Sequence, residues 1–301
     1  MKKIGASFVV FLLVEYELVK GEENMVEQAA ALLQDEKEKK AADFWNFRAK
    51  KYAQDAQERK DRKQNVVEFF MEYSMVTEQS RVLDIGCGPG HQAIALGRYC
   101  KEVVALDISE EMLGIARENA IKEGLKNIKF EKNSWNKIQL EDYGWKKAFD
   151  LVYASMTPGV HDFDTLKKMI DASRKHCFLS GFVRRKDSIL DELLKVLKID
   201  RDFPPREEKI YCSFNTLWQM GYYPELRYMD RAWTTKMSLE EAVPFYIKRI
   251  ELLYSLTPKD KKLIHEFIQS KGQDGRIEER TQAKIAWMNW QVSAEEEGGP
   301  R

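Results

Sequence analysis

The sequence predicts an α/β fold built on a mostly parallel sheet, and three features point that way. Between residues 81 and 183, short apolar runs alternate with amphipathic stretches, which is the texture of βαβ units. The first two runs each end in an acid, Asp84 and Asp107, and the first passes directly into a glycine-rich turn. At 301 residues, with aromatic and branched side chains spread along its length, the chain can bury the core such a sheet needs.

Residues 1–24 read as an N-terminal extension. Lys2 and Lys3 precede an apolar run from Ile4 to Val14 that has the charge and length of a signal-peptide start. It falls short of the ~20 apolar residues that span a bilayer. No small-x-small cleavage site follows, since Glu15, Tyr16 and Glu17 come next. Over residues 25–75, helix formers with apolar positions at helical spacing, among them Phe44, Trp45, Tyr52, Val66, Phe69 and Phe70, predict a cap of two or three helices.

The sheet domain is expected over residues 76–292. Parallel strands are predicted at 81–84, 102–107, 127–131, 149–154 and 177–183, with helices between them. The clearest helix is 109–123, where Ser109 is the N-cap, Glu110 and Glu111 favour the first turn, and Gly124 is the stop. A helix ending at Gly221 and a strand over 224–233 come next. A helical insertion over 238–273 is then signalled by the capping-box spacing at Ser238-Leu239-Glu240-Glu241 and by Thr257-Pro258. The final strand is predicted at 280–291, and the charged tail 293–301 is expected to be disordered.

Lys plus Arg equals Asp plus Glu at 49 each, so no net field concentrates the chain on nucleic acid or an anionic membrane. Neither is an expected partner. Cys87, Cys100, Cys177 and Cys212 form no C-x-x-C pair, and His176 is not at metal-ligand spacing, so no metal site is predicted and a reduced, cytoplasmic compartment is. Cys87 lies in the glycine-rich turn, where a small residue in a crowded loop is a better reading than a nucleophile.

The chemistry concentrates in Val82-Leu83-Asp84-Ile85-Gly86-Cys87-Gly88-Pro89-Gly90. Glycines let backbone approach a ligand closely, and the helix from His91 presents free N–H groups at its positive end. About twenty residues on, Val103-Val104-Ala105-Leu106-Asp107 places a second acid where a ribose-hydroxyl ligand stands in dinucleotide sites. A dinucleotide fingerprint needs glycine three positions after Gly88. His91 is there, and the loop reads G-x-G-x-G instead.

At these residues the sequence resembles the class I S-adenosylmethionine-dependent methyltransferase family. The resemblance covers roughly residues 44–183 and implies a Rossmann-like sheet with an antiparallel last strand. It implies S-adenosylmethionine as cofactor, with Asp84 and Gly86 near its methionine end and the Cys87, Gly88 and Gly90 loop passing its ribose. Asp107 would accept from both ribose hydroxyls, while Ile108 and Met112 flank the adenine. Asn133 and Ser134 occupy places where the family usually has Gly-Asp facing the adenine amine, and Trp135 either covers the base or packs. The segment from Phe149 into Ser155-Met156-Thr157-Pro158 would lie beside the transferring methyl. It lacks the Asn/Asp-Pro-Pro-aromatic tetrad of nucleic-acid amino methyltransferases.

The expected function is therefore methyl transfer to a small-molecule acceptor. A non-catalytic S-adenosylmethionine-binding regulator and an RNA or protein methyltransferase are the other readings. His161 is the candidate base for an O–H or N–H acceptor, with Tyr52 and Thr157 as positioning groups. The aromatic helix around Trp45 and Tyr52, and the insertion with Phe245, Tyr246, Ile250 and Leu253, are read as a lid over the carboxyl ends of the strands.

Overall fold

The computed structural model describes residues 33–55, 66–199 and 208–292. The expected extension 1–24 and tail 293–301 lie outside them, as does part of the predicted helical cap. The described cap residues form α1 (33–55) and α2 (Val66–Glu72). The sheet then builds from β1 (Arg81–Ile85), α3 (His91–Gly97), β2 (Glu102–Asp107), α4 (Glu110–Lys122), β3 (Ile128–Lys132), β4 (Phe149–Ser155), α5 (Phe163–Ala172) and β5 (Ser173–Asp187). The chain continues through α6 (Ser188–Val196), α7 (Lys209–Gln219), β6 (Glu225–Ser238), α8 (Leu239–Glu251), α9 (Pro258–Lys271) and β7 (Arg276–Gln291).

The sheet order is β3-β2-β1-β4-β5-β7-β6. Strands β1 to β5 pair in parallel, and β7 enters antiparallel to both β5 and β6. The predicted architecture, including the antiparallel last strand and the helical insertion, is the one observed. β1, β2 and β4 are buried on both faces, which is why they read as continuous apolar runs. One face packs Leu83, Leu106 and Val152 against Leu166 and Met169 of α5 and Leu217 of α7. The other packs Val82, Tyr153 and Phe178 against Phe69 and Phe70 of α2 and Leu96 of α3. The capping box predicted at Ser238 is formed with Glu241, and the predicted N-cap Thr257 also forms one, with Asp260.

Three strands are longer than expected. β5 reaches from Ser173 to Asp187, β6 runs on to Ser238, and β7 starts at Arg276. The added lengths form a ribbon whose inner face is ionic. Asp187 and Glu279 are buried there, and Arg249 from α8 joins them, its Nη2 2.7 Å from Asp187 Oδ2 and its Nη1 3.1 Å from Glu279 Oε2. Arg185 Nε lies 2.9 Å from Asp187 Oδ2, and the Thr281 hydroxyl donates to Asp187 Oδ1 at 2.6 Å. Burial alone would raise the Asp187 pKa, but the two guanidiniums hold it below the usual carboxylate value.

The insertion encloses a separate apolar core. Phe245, Tyr246 and Ile250 of α8 meet Ile264 and Ile268 of α9 and Leu193 of α6, with Phe44 of α1 wedged among them. These α8 side chains therefore pack inward, which corrects their expected place on an acceptor-facing lid. The cap and insertion nevertheless meet at this core.

Candidate active site

The turn after β1 is laced to the end of β2. The Gly86 and Cys87 N–H groups both donate to the Leu106 carbonyl, at 2.7 and 2.9 Å. Asp107 closes the lacing, its Oδ2 accepting from Gly88 N and its Oδ1 from Ser109 N, each at 2.8 Å. Ser109 also caps α4 by accepting from Met112 N.

The glycines have distinct jobs. Gly86 has φ 76, and a Cβ there would stand 2.1 Å from Thr157 Oγ1, so it lets the turns after β1 and β4 touch. Gly88 has φ 55, and its Cβ position meets no atom within 4 Å because it faces an open cavity. Gly90, at φ 79, is the N-cap of α3, where a Cβ would come within 2.8 Å of Ala116 Cβ. It sets the approach of α3 to α4.

That cavity encloses about 710 Å³ at the carboxyl ends of β1, β2, β3 and β4. Of the residues expected at the cofactor, Gly86, Cys87, Gly88, Asp107, Ile108 and Met112 line it, as do Asn133 and Ser134. Gly90 and Asp84 do not reach its wall. Gly90 is held away by its packing role, and Asp84 points under the loop at 1% exposure. Trp135 packs, its Nε1 donating to the Thr165 carbonyl at 3.0 Å, and shows only an edge to the cavity. Burial, with Asp84 and Asp107 nearby, pushes the Cys87 thiol well above its usual pKa, so a thiolate nucleophile is not on offer.

The cavity suits an adenosyl group. Each Asp107 oxygen takes one of these two backbone donors and keeps further accepting capacity, as two vicinal hydroxyls require. The open space above Gly88 admits close backbone approach by a ligand. Burial raises the Asp107 pKa above the usual value even against the N–H groups of Ser109 and Gly88.

Asp84 is a buried acid of another kind. Neither of its carboxyl oxygens has a well-formed hydrogen bond within the protein, although Tyr153 faces it from the paired position of β4. Burial raises its pKa to about 8, with the neighbouring Tyr153 hydroxyl offsetting part of the rise. A carboxyl raised in this way favours the folded state most below its unfolded pKa and loses that contribution as pH climbs towards 8. Asp84→Asn should therefore raise the melting temperature over the parent at pH 8, with the gain shrinking towards pH 4. Parallel melting curves for the two proteins across that range would refute the assignment.

The opposite side of the cavity is the turn after β4. Met156 holds φ 57, a strained value for a bulky residue, and its N–H donates to Ser180 Oγ at 3.0 Å. Thr157 Oγ1 accepts from Gly159 N, and its carbonyl accepts from Lys209 Nζ at 2.8 Å. Burial lowers the Lys209 pKa to about 7. Half-exposed His161 lines the cavity, with Nε2 3.3 Å from Asp162 Oδ2. Tyr52 also lines it, next to Trp45 with ring centroids 5.8 Å apart.

Sequence reasoning missed much of α1. Gln34, Lys37, Glu38 and Ala41 line the cavity together with Trp45 and Tyr52, a stripe at helical spacing that could have been read from the sequence. Asn46 docks the same helix, its Oδ1 accepting from Ser109 Oγ at 2.7 Å and from Glu111 N at 3.3 Å. The insertion contributes Leu253, named in the expected lid, with Leu252 beside it just past α8, whereas His91 and Gln92 at the start of α3 were not anticipated.

Residues 77–208 match the family model described as a methyltransferase domain. The methyltransferase YcgJ of Bacillus subtilis is 27% identical over 158 residues, 50% of this chain and 59% of YcgJ, so the match spans under two thirds of that relative. A Haemophilus influenzae protein is 28% identical over 221 residues, 72% of this chain and 78% of that one. Among solved structures, YcgJ superposes with a TM-score of 0.44 at 19% identity, covering 77% of this chain and 98% of that one. A SAM-dependent methyltransferase from Aquifex aeolicus gives 0.40 at 22%, covering 54% and 82%.

Proposed function

We propose that residues 77–208, which match the methyltransferase-domain model, belong to a class I S-adenosylmethionine-dependent methyltransferase, and that the chain transfers a methyl group to a small-molecule acceptor. The observation that carries this reading is the shared cavity. Gly86, Gly88 and Asp107 line one side, Thr157 and His161 the other, and α1 forms a further wall. An acceptor has to fit within that enclosure, which favours a small molecule over a macromolecular surface.

S-adenosylmethionine supplies a sulfonium-activated methyl group, so the demands on the protein are orientation and exclusion of water. Asp107 would hold the ribose hydroxyls of the cofactor, and Ile108 and Met112 would flank its base. Trp45, Tyr52, Leu252 and Leu253 wall off solvent on the acceptor side. The His161 ring nitrogen that does not face Asp162 receives the proton of an O–H or N–H acceptor, and Asp162, beside Nε2, stabilises the imidazolium that results. The Asp162 pKa is lowered, its hydrogen bonds from Thr165 outweighing burial. No described helix is long and apolar enough to cross a membrane. The four free cysteines fit a reduced cytoplasmic setting as part of the same reading.

Asp107→Ala is expected to lower S-adenosylhomocysteine affinity at least about tenfold, because charge-assisted hydrogen bonds of roughly 1.5–3 kcal/mol each are lost. Titration calorimetry reads this directly, and unchanged affinity would remove Asp107 from the site. Release of S-adenosylhomocysteine during a screen of small phenols, amines and acids tests turnover. If only RNA or protein supports release, the acceptor class is wrong.

A further inference from the structure

Glu38 stands on α1, outside the segment that matches the family model, yet its carboxylate lies in the cavity at 9% exposure. Its Oε1 accepts from Ser134 Oγ at 2.9 Å, Asn136 Nδ2 at 3.2 Å and Gln34 Nε2 at 3.3 Å. Oε2 has a long contact of 3.5 Å with Lys137 Nζ, whose tighter partner is Asp35 at 2.8 Å. Oε2 therefore keeps accepting capacity. The neighbourhood is that of the expected base: Asn133 N donates to the Asp107 carbonyl at 3.1 Å, and Ser134 follows.

Adenine carries an exocyclic amine that donates and ring nitrogens that accept, so a pocket that selects it needs an acceptor for the amine. The residues placed there by sequence spacing are already engaged. Asn133 Oδ1 accepts from Ser134 N, its Nδ2 donates to Tyr143 OH, and the Ser134 hydroxyl proton goes to Glu38. Among the described residues lining the cavity, the carboxylates are Asp107 and Glu38. With Asp107 assigned to the ribose, Glu38 is left facing the base.

Resting on the proposed cofactor, we infer that Glu38 is the specificity-determining residue for the purine, its Oε2 accepting from the exocyclic amine of the adenine. The docking of α1 and the reading of the base are then one event. Glu38 joins α1 to the turn after β3, and Asn46 joins it to the cap of α4. A cofactor bound beneath the helix strengthens its attachment to the sheet.

The test compares S-adenosylhomocysteine with S-inosylhomocysteine, in which a carbonyl replaces the amine, by calorimetry on the full chain. The parent should prefer the adenine compound at least about tenfold, since the carbonyl meets the Glu38 carboxylate acceptor to acceptor. Glu38→Gln keeps an oxygen for Ser134 and Asn136, so α1 stays docked, and this leaves the amide NH2 at the Oε2 position, where it donates to a carbonyl and cannot accept from an amine. Its preference for the adenine compound should be lost or reversed. Glu38→Asp withdraws the carboxylate by one methylene and should also narrow the preference, giving a second route if the glutamine variant fails to fold. A parent that does not discriminate, or variants that keep the parent ratio, would overturn the inference. If that ratio persists while Asp107→Ala loses binding, this inference alone falls. If the parent binds neither compound, the cofactor reading falls with it.

Discussion

Gly86→Ala is expected to abolish measurable S-adenosylhomocysteine binding and to destabilise the fold by roughly 2–5 kcal/mol, the sum of left-handed strain and overpacking. The added methyl would fall 2.1 Å from Thr157 Oγ1 and 2.6 Å from Thr157 Cβ. Something must shift, and neither turn is loose. Thr157 is held through Gly159 N and Lys209, while Gly86 is tied to the Leu106 carbonyl. Pushing them apart moves the cofactor loop and the acceptor turn together, which is why binding should go along with stability. Adding Thr157→Gly removes the steric part but leaves φ at 76, so the double variant should regain part of the stability. Calorimetry and denaturant melts would read both effects. Normal binding by a folded Gly86→Ala protein would show that these turns do not meet as described.

Arg249→Met should produce the largest loss of stability, about 3–5 kcal/mol, because it strands buried carboxylate charge. In the intact ribbon, Arg185 and Arg249 balance Asp187 and Glu279. Removing Arg249 leaves Glu279 at 3% exposure without its guanidinium. Glu279→Gln in the same chain restores the balance, since the amide still accepts from Leu190 N through its oxygen, and Arg185 still faces Asp187. The pair of changes should therefore recover at least half of the loss. A double-mutant cycle in urea measures this. Strict additivity of the two changes would mean that the charges are not coupled. Acid acts on the same cluster. The depressed Asp187 pKa contributes stability that is present above its unfolded value and disappears as pH falls through its folded value.

The parts of the fold written in apolar periodicity could be read from the sequence. β1 and β2, with Asp84 and Asp107 at or next to their carboxyl ends, were legible as the centre of the sheet, and Ser109, Ser238 and Thr257 announced three helices. The ribbon extension could not be read in this way. Its inward positions mix Asp187, Glu279 and Thr281 with Met237 and Ile277, so alternation of polar with apolar residues breaks off where the strands continue. The site divides along similar lines. Gly86, Gly88 and Asp107 are local signals with fixed spacing. Glu38 and Asn46 act through partners 96 and 63 residues away, Ser134 and Ser109, and nothing near them in the chain marks that encounter. Gly90 looked like a cofactor glycine because its spacing fits, whereas contact with Ala116 on the next helix is what requires it.

The cavity walls have two origins along the chain. The glycine turn, Asp107 and the turn after β4 fall within residues 77–208, whereas α1 and the Leu252–Leu253 corner fall outside. Such a chain can be re-specified by exchanging a cartridge. Substitution along the inner stripe of α1 reshapes the acceptor enclosure without disturbing the donor cradle. The separation is incomplete, because Glu38 is on the same helix as Trp45 and Tyr52, one turn or more before them. Any drift or grafting of α1 carries a base-reading carboxylate together with the acceptor wall, so choice of acceptor and fidelity to adenine are inherited as a linked pair.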